Sequence, residues 1–367
     1  MLRTDPNAAA LYDETRRAME ICNACRYCEG YCAVFPAMEL RRTFSDSDLN
    51  YLANLCHGCG SCYYACQYAP PHEFAINLPK SFAEMRVESY KRYAWPHGFA
   101  QLFHRNGTIL SLATAAAIAL LFALAAALVP SGVLYGQHLG EGAFYAVVPW
   151  GVMVSVAGTT FLFSLLALFI GVAKFWRDTG GTVVPLRAVG RAVRDALTLR
   201  NLGGEHGMGC EDEDPSKPAA RRHFHHAMFY GFLLCFAATS VATLYHHVLG
   251  VEAPYGYFSL PVQLGIWGGI GLLIGTTGLA WLKLTTDPEP RAPKVMGADF
   301  ALLVVLWLSS ATGLLLLALR ETQAMGALLV VHLGVILALF LFLPYSKFVH
   351  GFYRFAALLR AARERQD

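Results

Sequence analysis

The sequence predicts a mainly α-helical protein in two parts, a small helical head at the amino terminus and a bundle of six membrane-crossing helices. Three observations predict it. The chain of 367 residues has a mean hydropathy of +0.40 and only 15% charged residues, a balance foreign to an ordinary soluble domain. Six long apolar runs follow one another after residue 107. Eight of the ten cysteines fall within the first 66 residues, in two copies of one spacing pattern.

The cysteine pattern defines the head. It reads Cys22-x2-Cys25-x2-Cys28-x3-Cys32 and again Cys56-x2-Cys59-x2-Cys62-x3-Cys66. Each run brings several thiolates within one or two turns of chain, close enough to grip a cuboidal iron–sulfur cluster. In the bacterial two-cluster arrangement the fourth cysteine of each run crosses to the other cluster. Cys22, Cys25, Cys28 and Cys66 are therefore expected to hold one [4Fe–4S] centre, and Cys56, Cys59, Cys62 and Cys32 the other. Zinc knuckles use CxxC pairs and need no third and fourth cysteine at these offsets. Disulfides are not expected in a segment with no secretory signal before it. Cys210 and Cys235 have no cysteine neighbour at ligand spacing and are read as structural or free thiols.

The head is expected over residues 1–84. Ser45-Asp46-Ser47-Asp48 ahead of Leu49, Leu52 and Leu55 reads as an N-capped helix with an apolar face. No strand-like alternation appears, which favours a helical ferredoxin-like domain over a small β-hairpin type. Pro36 and Pro70-Pro71 are expected to close the two cysteine runs. Residues 85–106, rich in aromatics, histidine and arginine, are expected to form an amphipathic connector on the membrane surface.

The bundle is expected over 107–345, with spans at about 108–129, 147–173, 226–249, 262–283, 299–319 and 326–345. A 22-residue helix is about 33 Å long, enough to cross a hydrocarbon core of about 30 Å. The glycines of the fourth span, Gly265, Gly268, Gly269, Gly271 and Gly275, read as small-residue helix packing; no strand precedes them, so they are not a dinucleotide loop. Lysine and arginine are sharply partitioned. The loop 174–225 carries Lys174, Arg177, Arg187, Arg191, Arg194, Arg200, Lys217, Arg221 and Arg222, and the basic tail 346–367 carries five more; loops 130–146 and 250–261 carry none. The positive-inside rule then places both termini and the head in the cytoplasm of a cell with this protein in its inner membrane, the reducing side that thiolates need. The net charge of +3 is modest and gives no reason to expect a nucleic-acid partner.

Histidines mark the bundle interior. His332 sits inside an apolar run, where an imidazole is costly without a partner. His350 follows 18 residues later, about five turns and 27 Å along a continuous helix, so both rings are expected on one face. The third span opens with His223, His225 and His226 and closes with His246 and His247. His225 and His226 then share the cytoplasmic depth of His350, and His246 and His247 the outer depth of His332. Facing histidines at two depths are what one or two bis-histidine b-type haems require. The wheel allows His225 with His246 or His247, and His226 with His247; His226 and His246 diverge by about 160°. Which member of each adjacent pair binds iron stays open. His97, His104, His138 and His206 are read as surface residues.

With clusters and haem but no flavin or nucleotide fingerprint, the chain reads as an electron conduit with no catalytic residue of its own. Its abundant redox partner within the lipid is quinone, and a flavin must sit on another subunit. The order of parts resembles the tricarballylate/citrate utilisation protein B family. The likeness rests on ICNACRYCEGYC from Ile21 to Cys32, LCHGCGSCYYAC from Leu55 to Cys66, the following Pro70-Pro71-His72-Glu73-Phe74 and the six spans. The bundle is also similar to the haem subunit of membrane nitrate reductase. The resemblance implies a chain that reoxidises an FAD-containing partner dehydrogenase acting on tricarballylate- or citrate-like acids and passes electrons to the quinone pool. An alternative is the membrane electron subunit of a heterodisulfide-reductase-like complex, whose partner would carry thiol rather than flavin chemistry.

Overall fold

The computed structural model describes residues 6–203 and 219–365. The acidic, glycine-rich stretch with His206 and Cys210 lies outside the described residues. The regular structure of the described residues is all helical, with no strand among them.

Five helices build the head: α1 (Pro6–Cys25), α2 (Val34–Glu39), α3 (Asp46–Leu55), α4 (Ser61–Tyr64) and α5 (Leu78–Tyr93). Helix α3 begins where its sequence dictates. The Ser45 hydroxyl accepts from the Asp48 amide at 3.2 Å, and the Asp48 carboxylate accepts from the Ser45 amide at 3.2 Å, a capping box that satisfies two orphan donors. Its Leu49, Leu52 and Leu55 are fully buried. Pro36 does not end the first cysteine run. It lies in the first turn of α2, where a missing N–H leaves no helical bond unmade. The division expected at residue 84 falls inside α5, whose Phe82, Met85, Tyr90 and Tyr93 are buried in the head core. A 3₁₀ stretch, His97–Arg105, leads from there into the bundle.

Among the described residues, six helices are long and apolar enough to cross a membrane. The first, α6 (Asn106–Leu128), is followed by the short α7 (Ser131–Leu134) and α8 (Ala143–Val147). Then come α9 (Trp150–Asp178), the amphipathic α10 (Leu186–Leu197), α11 (Ala220–Leu249), α12 (Leu260–Thr285), α13 (Pro293–Leu319) and α14 (Met325–Phe342). Helix α14 packs on α6, α9 and α13, while α12 joins α13 to α11. Aromatic contacts bring α9 to α11: Trp150 stacks on His246 with ring centroids 5.0 Å apart, and Phe161 meets Phe236 at 6.0 Å.

The α11–α12 seam explains the glycines of the fourth span. A Cβ on Gly275 would stand 2.3 Å from the Met228 backbone nitrogen, and one on Gly268 would stand 2.8 Å from that of Cys235. Backbone approaches backbone here, the small-residue mode of helix association in lipid. Gly275→Leu is accordingly expected to cost at least about 3 kcal/mol, because backbone rather than a flexible side-chain tip is in the way. Thermal unfolding in detergent would measure it, and an unchanged midpoint would remove the seam from the account.

The last span differs from its sequence expectation. Helix α14 ends at Phe342, and two 3₁₀ turns, Leu343–Tyr345 and Lys347–Val349, precede α15 (His350–Glu364). Pro344 has no N–H to continue the ladder and restricts Leu343 ahead of it. His332 and His350 are therefore not on one continuous helix, and the five-turn argument for their common face does not hold.

Nor is the basic tail loose. Helix α15 buries Tyr353, Ala357, Leu358 and Ala361 and packs on α3, α9 and α10. Its Glu364 accepts from Arg41 at 2.6 Å, Tyr51 at 3.0 Å and Arg360 at 2.8 Å. One core thus runs from Leu52 and Met85 of the head to Phe175 of α9 and Leu358 of α15. The loop between α12 and α13 also reaches the head: Tyr64 donates to Asp287 at 3.0 Å, and Asn77 donates to the Glu289 carbonyl at 2.7 Å. The last helix, α15, thus packs beside α3 of the head.

Candidate cofactor sites

Two hollows lie within the head, each formed by sharp turns. After Cys25, Arg26 takes a left-handed conformation, φ 56°, and the chain doubles back through Cys28. Between Cys56 and Cys62, Gly58 and Gly60 sit at φ 68° and 91°, a region that favours glycine. The Gly58 amide donates to the Cys56 sulfur at 3.3 Å. One hollow is lined by Cys22, Cys25, Cys28, Cys66 and also Cys62, which lines both hollows. The second is lined by Cys56, Cys59, Cys62 and Cys32. Each gathers cysteines of one run and the fourth cysteine of the other.

The chemistry of these donors suits a positively charged inorganic group. None of the nine described cysteines is in a disulfide. Burial, then the neighbouring Cys66, Cys28 and Cys25, push the Cys22 thiol up to about 12. Burial and neighbouring thiols likewise raise Cys32 and Cys62 well above the ordinary value. Several thiolates close together repel one another, and bound metal is what makes their ionisation favourable. Among the described residues no three donors stand so close as to hold a single metal ion; a cuboidal cluster spreads its ligands more widely than one ion does.

A third and roomier cavity, of about 240 Å³, lies where the head meets the bundle. His57 and Gly58 line both it and the second cysteine hollow. His225 of α11 and His350 of α15 face each other there, ring centroids 6.3 Å apart and planes at 78°. An iron between two imidazoles, with metal–nitrogen bonds of about 2 Å, spaces ring centroids about 6 Å apart. The His350 Nδ1 is 2.5 Å from the Lys347 carbonyl, a contact that leaves Nε2 as the lone-pair nitrogen. Burial, then Arg354 and Lys347, hold His350 well below its ordinary pKa, in the neutral form that coordinates metal. His57, buried beside Arg354, is held down in the same way.

The other predicted histidines separate. His226 turns toward Tyr230, ring centroids 5.7 Å apart, and away from the His225–His350 pair. His246 stacks on Trp150 with 13° between planes, and its buried Nδ1 has no hydrogen-bond partner. His247 lies edge-on to Trp150 and is exposed. His332 places Nδ1 2.9 Å from the Thr312 hydroxyl, and a Cβ on Gly313 would meet its ring at 3.0 Å. A side chain at Gly313 would press the His332 ring to give by a few tenths of an ångström.

Sequence reasoning missed the polar wall of the cavity. Asp299, 6% exposed, pairs with both Lys283 and Lys347. Arg86, Arg221 and Arg354 line the cavity and bond the backbone of the second cysteine run. The signal was present in Asp299 and Lys283, ionisable residues at the ends of apolar runs. The arginines gave none, since they come from three distant segments.

Fold and hollows together define a class: a multi-pass helical membrane protein carrying a ferredoxin-like cysteine head. Residues 103–367 match the family described as Citrate utilization protein B, and residues 15–92 match the Citrate utilization protein B Fer4-like domain. The chain belongs to the citrate utilization protein B family. It is 48% identical over 363 residues to the Citrate utilization protein B of Escherichia coli, an alignment covering 99% of this chain and 94% of that relative. No solved structure matches it.

Proposed function

We propose that this chain carries electrons from a partner FAD-containing dehydrogenase, acting on a citrate- or tricarballylate-like acid, to membrane quinone. In this reading Cys22, Cys25, Cys28 and Cys66 hold one [4Fe–4S] cluster, and Cys56, Cys59, Cys62 and Cys32 the other. His225 and His350 hold a b-type haem. His332 contacts Thr312, and His246 and His247 contact Trp150, so one haem is proposed. Bound clusters and haem supply one-electron carriers, which divide the two-electron oxidation of a flavin into single steps.

The chain's own residues set the direction. Tyr27, 67% exposed, lines the first cysteine hollow and gives it a route to a docked partner. The second hollow shares His57 and Gly58 with the histidine cavity, so electrons arriving at the first run leave through the second toward the bundle. The basic loops gather on the head's side, which the positive-inside rule makes cytoplasmic in the inner membrane.

The observation that carries the haem reading is the 6.3 Å approach of His225 to His350 beside the second cysteine run. Anaerobic optical spectroscopy of the purified protein tests it. The dithionite-reduced protein should show b-type haem bands that bleach on adding a quinone analogue. His225→Ala and His350→Ala should each remove the same haem, while His223→Ala should leave it in place. A wild-type spectrum without haem bands, or equal loss in all three variants, would sink the assignment.

A further inference from the structure

The walls of the histidine cavity are strongly cationic. Among the described residues, Arg86, Arg221, Lys283, Arg291, Lys347 and Arg354 line it, against one carboxylate, Asp299. That carboxylate is engaged by Lys283 and Lys347. Arg86 and Arg354 instead meet neutral backbone: Arg86 donates to the carbonyls of Ala53 and Cys56 at 3.1 and 3.2 Å, and Arg354 to that of Cys56 at 2.9 Å. The Nε of Arg354 is buried with no hydrogen-bond partner among the described residues. Burial, then the charge of Arg86, pull its pKa down to about 10. Half-buried cations with no counter-charge among the described residues are costly, and an anion entering this cavity would meet forked donors ready for a carboxylate. Arg354 also follows His350 by one turn of α15, so both lie on one helix face.

We propose that Arg86 and Arg354 bind the two peripheral carboxylates of the haem held by His225 and His350. The inference rests on the haem reading above and adds the residues that would clamp the ligand's edge. One guanidinium layer would then touch both the haem carboxylates and the Cys56 carbonyl, which fixes the ligand's rotation about the iron axis. Arg354 and Arg86 are positioning residues here, with no part in the iron bond.

The test uses full-length protein purified in detergent from haem-starved cells, titrated with protohaem or with its dimethyl ester and followed by the bis-histidine Soret band. The ester keeps the iron and ring but has no carboxylate charge. Wild type should bind protohaem about tenfold or more tightly than the ester, the size of a lost charge-assisted hydrogen bond. In Arg86→Gln/Arg354→Gln the preference should shrink to about threefold or less, with part of it restored in Arg86→Lys/Arg354→Lys. Unchanged non-haem iron content would show that the head of each variant is intact. Equal binding of both ligands by wild type, a comparison that needs no variant, would overturn the proposal, as would an undiminished preference in the folded glutamine variant. Uptake of neither ligand, together with a haem-free spectrum of the protein from haem-replete cells, would strike down the haem reading itself.

Discussion

Cys66→Ser is expected to remove the cluster of the first cysteine run while leaving that of the second. Non-haem iron should fall from about eight to about four atoms per chain, and the EPR signal lost should be the one lost in Cys22→Ser. The reason is spatial. Cys66 belongs to the second run by sequence, yet it lines the hollow of Cys22, Cys25 and Cys28, and after burial it raises the pKa of Cys22 more than the other thiols do. Cys32→Ser should do the reverse and copy Cys56→Ser, since Cys32 lines the second hollow. Should Cys66→Ser and Cys56→Ser lose the same signal, the crossed assignment is wrong and each run serves its own cluster.

Asp299→Ala should be the most destabilising single change at the histidine cavity, by about 3–5 kcal/mol, the usual cost of breaking a buried ion pair by removing one partner. It strips the one carboxylate that lines the cavity among the described residues and leaves Lys283 and Lys347 facing four arginines and each other. Asp299→Asn keeps the shape and should lose most of the same stability. The pH dependence carries a definite sign. Burial holds Lys347 at about 8 against an ordinary 10.5, even with Asp299 raising it. Between those values the unfolded chain binds more protons than the folded one, so this residue's contribution to stability rises with pH through that window. Without Asp299 the folded pKa drops further and the window opens at lower pH, so the variant's deficit should narrow as pH rises. Unfolding in detergent at pH 6.5 and 9 measures both effects. A loss below about 1 kcal/mol, as for an exposed pair, would count against a buried triad.

Much of the architecture was legible in the sequence because it depends on local rules. Apolar run length gave the six spans, and Ser45 with Asp48 announced α3 through a capping box that needs only neighbouring residues. The glycines of α12 signalled close packing, though not that α11 was the partner. Chain direction was harder. A run of apolar residues does not reveal where a helix breaks, so the step at Leu343 that separates His332 from His350 escaped the periodicity argument. The pairing of His225 with His350 in space depends on α15 folding back against the head, a tertiary event. The arginines were invisible for the same reason: Arg86, Arg221 and Arg354 belong to three segments and meet only at Cys56 and Gly58.

That meeting has a consequence for how the protein is made. The footing of the head includes Arg354 and Glu364, which bond Cys56 and Arg41 across 298 and 323 residues of sequence. A nascent chain delivers the cysteine runs first and these anchors last, after every membrane helix has left the ribosome. Until then the second cysteine run lacks the donor from Arg354, and the face of α3 that α15 covers stands open to solvent. The last contacts of the head are therefore made late in biogenesis, and a message truncated ahead of α15 would yield an inserted bundle whose head keeps its bonds to Asp287, Glu289 and Arg221 but lacks those to α15.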